Sequence, residues 1–156
     1  MPQEINWDKI AASYKKCAEI LMKKPRETTK NTVNGMSDDA LTYEQERRLE
    51  IIQLRLAAEF LLKSLYIKKG FCIFKTTNEI LKIDKLPPEI DMHITFDFYV
   101  LIERMSSLGV PDTNQLKDGL HQIRKKGNDA VHGHEFDDSV IINARNTLEA
   151  LMSLTS

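Results

Sequence analysis

An all-α bundle of four long helices and one short helix is what this sequence predicts. Two observations carry that reading. Apolar residues recur at helical spacing, and the alternation that marks a half-buried strand is almost absent. The chain also holds only six glycines and five prolines, gathered at plausible element boundaries.

The first helix runs from about Asn6 to Lys24. Trp7, Ile10, Tyr14, Cys17 and Leu21 make one apolar stripe on an otherwise charged segment, and Pro25 ends it. Residues 26–41, a polar and turn-rich stretch, read as a loop longer than the usual connection, and so as a mobile or functional one. The second helix runs from about Thr42 to Lys69. Thr42 is placed to cap it, with Gln45 completing a capping box. Ile51, Leu54, Ala58, Leu61 and Leu65 form its stripe. Leu56, Phe60 and Leu62 widen that stripe to two sides, which suits a helix in the middle of a bundle. Gly70, after Lys68 and Lys69, is a C-terminal stop.

Thr77 to Ile83 is a candidate short helix, and Pro87-Pro88 breaks the chain after it. A third long helix is expected over Thr95 to Ser107, with Phe98, Leu101, Ile102 and Met105 inward. A fourth follows Pro111. Asp112 or Thr113 can cap it, and Leu116, Leu120 and Ile123 form its inner seam. The last begins near Asp137 and keeps Ile141, Ala144, Leu148 and Leu151 in register. All 156 residues fit one domain.

Composition narrows function. With 42% hydrophobic and 29% charged residues the chain has enough apolar material for a core, which excludes global disorder. Its apolar runs fall short of the roughly 20 residues that cross a bilayer. The N-terminal "MPQEINWDKI" lacks the basic start and apolar block of a signal peptide, so a cytoplasmic protein without membrane contact is expected. Cys17 and Cys72 read as reduced core or boundary residues. A net charge of −1 means that any nucleic-acid contact is local. No cofactor-binding glycine loop is present, and no cofactor is expected.

The chemistry-bearing stretch is "QIRKKGNDAVHGHE", Gln122 to Glu135. Two readings stay open. If the fourth helix stops at Gly127, Lys125 and Lys126 sit at the negative end of its dipole and Asn128 and His132 belong to a turn. If it continues, Arg124, Asn128 and His132 share a ridge, because each step of four residues turns about 40°. Such a ridge suits metal-free RNA cleavage: the 2′-hydroxyl attacks the phosphate, histidine moves the proton, and arginine holds the charge. Lys125, Lys126 and His121 would flank it as substrate contacts. His132, His134 and Glu135, with Asp137 and Asp138 nearby, lack a metal-ligand spacing, so no metal is expected. Glu59, inside an apolar helix, needs a partner; Lys63 or Arg55 can supply it.

"LHQIRKKGNDAVHG" resembles the signature of the HEPN superfamily, helical-bundle proteins that include bacterial RNases of toxin–antitoxin and anti-phage systems. The matching positions are Ile123, Arg124, Gly127, Asn128, Val131 and His132, and "LAAEFLLKSLYIKKG" resembles the helix that precedes them. Aligned on Asn128 and His132, Gly127 stands where the family's nucleases carry the arginine. The resemblance implies a HEPN-like bundle and a metal-independent endoribonuclease of a toxin or anti-phage system. Arg124, Asn128 and His132 would be its catalytic residues, in a homodimer that pairs two motif-bearing edges, with RNA as substrate and an antitoxin or other protein as partner. It equally admits a catalytically inactive module that dimerises and binds a protein or a nucleotide through the same edge.

Overall fold

The computed structural model describes residues 4–23, 39–133 and 137–156. Five helices form its frame: α1 (Trp7–Met22), α2 (Asp39–Lys68), α3 (Phe98–Glu103), α4 (Thr113–Val131) and α5 (Asp138–Leu154). Four are long and one is short, and no strand forms among the described residues.

α2 is the axle, touching each of the other four. Its predicted stripe of Ile51, Leu54, Ala58, Leu61 and Leu65 is fully buried, and so is Leu62. Phe60 is half-buried and Leu56 is 40% exposed, so the second side is only partly covered. The seams of α4 (Leu116, Leu120, Ile123) and α5 (Ile141, Ala144, Leu148, Leu151) close on the same core. α1 lies across α2. The Tyr14 ring stacks on Phe60 with centroids 5.7 Å apart, and the Ser64 hydroxyl donates to the Ala11 carbonyl at 2.8 Å. Cys17, expected in the α1 stripe, is exposed instead; Ala18 takes the buried place.

Several boundaries differ from the sequence expectation. α2 begins at Asp39, so Thr42 lies inside the helix and cannot be its cap, while most of the predicted loop at 26–41 lies outside the described residues. Thr77 to Ile83 forms no helix. The chain around it runs extended, held by isolated antiparallel bridges from Phe71 to Lys82 and from Phe74 to Thr95. Because Thr95 is held in that pairing, α3 starts only at Phe98, and a 3₁₀ turn at Met105–Leu108 completes the segment. The short helix of the bundle is therefore α3. Asp112 precedes α4 with φ of 55° and makes no capping bond, while the Thr113 hydroxyl donates backwards to Val110 at 2.7 Å. Neither residue caps α4. Asn6 does cap α1, accepting from the Lys9 amide at 3.0 Å.

Gly70 ends α2 as expected. Its φ is +89°, its amide bonds Ile67, and the Phe71 amide reaches back to Tyr66, the paired closure of a left-handed helix stop. Gly127 does not end α4. The helix runs on to Val131, and Gly133, with φ of +82°, provides the stop.

Candidate functional site

Because α4 continues, its polar residues can be placed by angle. Lys117, His121, Arg124, Asn128 and His132 follow at steps of four, three, four and four, within about 80° of one another at 100° per residue. Lys125 and Lys126 fall about 100° and 200° round from Arg124, off this ridge. Lys125 is exposed and Lys126 half-buried.

The ridge is not one cluster. Helical side chains lean toward the N-terminus, and Arg124 does so. Its Nε–H donates a long hydrogen bond, 3.4 Å, to Nδ1 of His121, and its guanidinium carbon lies 5.1 Å from the centre of the Tyr99 ring. The other imidazole nitrogen, Nε2, is 2.9 Å from Glu103 Oε1. An Nδ1 that accepts and an Nε2 that donates describe the neutral ring with its proton on Nε2. Lys117 Nζ sits 3.5 Å from the second Glu103 oxygen. The His121 ring is 5.5 Å from Tyr99, which is itself 51% exposed. The hydrogen bond from His121, helped by Lys117 and opposed by slight desolvation, holds the Glu103 carboxyl below the usual carboxylate range.

Asn128 and His132 are exposed, and among the described residues their side chains make no hydrogen bond or ion pair. His132 lies about 12 Å from Arg124 along the axis, at roughly 1.5 Å per residue. The structure thus joins Arg124 to His121 and leaves Asn128 and His132 apart from them. Tyr99 and Glu103, two members of the group, were missed in the sequence. Their only signal is a position one turn apart on the side of α3 away from Leu101, Ile102 and Met105.

Two further contacts set the local backbone. Gly127 is buried against α2: a Cβ there would come within 2.4 Å of Arg55 Cδ and 2.8 Å of Arg55 Cβ. Arg48 of α2 reaches the end of α4, donating to the carbonyls of Gly133 at 3.0 Å and Ala130 at 3.4 Å. Those carbonyls would otherwise be helix-end orphans. Glu59 pairs with Lys63 at 2.9 Å, not with Arg55 or the ridge.

His134 and Glu135 lie outside the described residues. Among the described residues no group of three or more His, Cys, Asp or Glu side chains is arranged to hold a metal. No helix among them is long and apolar enough to cross a membrane. The chain matches no family model, no curated protein and no solved structure.

Proposed function

We propose that this chain binds RNA along the α4 ridge, as a homodimeric HEPN-like module of a bacterial toxin or anti-phage system in the cytoplasm. One observation carries the reading: the Arg124 guanidinium is held over Tyr99 and tied to His121 through Nε alone. A guanidinium fixed on an aromatic ring loses little freedom when its remaining N–H groups grip a phosphate. The exposed part of Tyr99 offers a face on which a base can stack. The resemblance of the Ile123–His132 run supports the biological setting, the two-fold pairing and an antitoxin or other protein that covers the ridge.

Metal-independent endoribonuclease activity is the second reading. It is favoured by the line Glu103–His121–Arg124 and by the exposed imidazole of His132. In such a reaction the 2′-oxygen attacks phosphorus, its proton passes to an imidazole, and the departing 5′-oxygen takes a proton from a second group. Arg124 and His132 of one chain are too far apart to serve one phosphate. His132 would have to come from the second copy of a dimer.

The test is one titration with two readouts. A labelled single-stranded RNA is followed by anisotropy at low salt and by gel in EDTA, using wild type, Arg124→Ala and His132→Ala. Binding that weakens on the order of tenfold in Arg124→Ala supports the RNA-binding module. Cleavage present in wild type and lost in His132→Ala adds the enzyme. Equal background cleavage in all three removes it, and no RNA binding by wild type removes both readings.

A further inference from the structure

Beside the α4 ridge, on α2, stands an arginine that no structural contact accounts for. Arg55 makes no hydrogen bond or ion pair among the described residues, and its Nε–H is buried without an acceptor. Buried donors are almost always satisfied, so an unpaired one calls for a missing acceptor. The nearby carboxylates are engaged elsewhere: Glu59, one turn further along α2, holds Lys63 at 2.9 Å, and Glu103 holds His121 at 2.9 Å.

The position of Arg55 depends on Gly127. Its stem occupies the space that a side chain at 127 would fill, with Cδ, Cβ and Cγ at 2.4, 2.8 and 3.0 Å from the place of the absent Cβ. From there its guanidinium carbon lies 5.7 Å from the centre of the Phe98 ring. Arg124 treats the next residue in the same way, 5.1 Å from the centre of Tyr99. Gly127 follows Arg124 by one helical turn, about 4.5 Å of axis. Both stems therefore cross α4 close together, and both guanidiniums rest on neighbouring rings of α3.

We infer that Arg55 and Arg124 form a two-guanidinium site for a phosphate group, into which Arg55 reaches because residue 127 has no side chain. Each guanidinium offers a planar fork of donors that matches phosphate oxygens. The anion supplies the acceptor that Arg55 lacks and offsets the charge of two adjacent cations. The inference deepens the RNA reading and rests on it only for the source of the phosphate, since free phosphate and the RNA backbone share the chemistry.

The experiment follows the arginine Nε–Hε resonances of the full chain by NMR while inorganic phosphate, and separately a short oligouridylate, is added. The Arg55 and Arg124 signals are expected to move together with each ligand. Arg55→Lys keeps the stem and the charge but loses the fork, and should weaken phosphate binding on the order of tenfold at unchanged Tm. Arg124→Ala should abolish the response of Arg55. An Arg55 signal that stays fixed while Arg124 responds overturns the inference and leaves RNA binding at Arg124 standing. Silence of both with phosphate overturns it as well. Response of both to phosphate but not to the oligonucleotide upholds the two-guanidinium site and sinks the RNA reading.

Discussion

The two halves of the α4 ridge have the same spacing and different fates. From Lys117 to Arg124 every polar side chain is engaged with α3, through Glu103 or Tyr99. From Asn128 to His132 the side chains are free, and the helix is held by its backbone, through the Arg48 contacts to Ala130 and Gly133. The difference lies in what stands opposite. α3 is short and borders only the first half, while α2 borders the second and presses its arginines onto main chain rather than onto side chains. Helical period sets the angle of a residue but says nothing about its partner.

Gly127 lies at the junction of the two halves, and replacing it should have the largest effect on stability. In a free helix, Gly→Ala gains about 1 kcal/mol. Here the added methyl meets Arg55 Cβ at 2.8 Å as well as Cδ at 2.4 Å, so rotating the far end of the arginine does not relieve the contact. Gly127→Ala should therefore lose roughly 1–3 kcal/mol, the usual range for overpacking. Urea unfolding at constant m-value measures it. A midpoint equal to or above wild type would show that α2 and α4 do not approach as described.

That glycine also shows how much was legible. The inner seams were readable because period alone determines them: Ile51 to Leu65, Leu116 to Ile123 and Ile141 to Leu151 are buried as spaced. Lys125-Lys126-Gly127 has the composition of a helix end, yet packing against Arg55 carries the helix through, and the stop falls at Gly133, where φ is positive. Thr77 to Ile83 carries apolar residues at helical spacing but is drawn out by the Phe71–Lys82 pairing, a non-local contact that no local window contains. For the site, Arg124 and His121 were visible as neighbours on one helix. Tyr99 and Glu103 were not, because nothing in one sequence says which face of α3 meets α4.

Acid should act on the first half alone. The His121 hydrogen bond holds the Glu103 carboxyl below its ordinary value. A carboxylate depressed in the folded state stabilises the protein above the ordinary glutamate value, about 4.3, and loses that contribution as pH falls through the lower folded value. Glu103→Gln removes the titration. Its deficit against wild type should be full near neutral pH and shrink on acidification below about pH 4, read from urea midpoints across that window. A deficit independent of pH would mean that the carboxylate and His121 are not coupled in solution.

The second half should show the smallest effect. Asn128 and His132 are exposed and their side chains hold nothing among the described residues, so Asn128→Ala and His132→Ala should each change stability by no more than about 0.5 kcal/mol. Two polar groups kept free of structural duty on the face that carries Arg124 are available for a ligand or a second chain. The same two variants are therefore the cleanest probes of RNA binding and cleavage, because a lost function cannot be ascribed to a lost fold. A drop well above 1 kcal/mol in either, measured in the same urea series, would instead assign that side chain a structural partner and erase the contrast between the two halves.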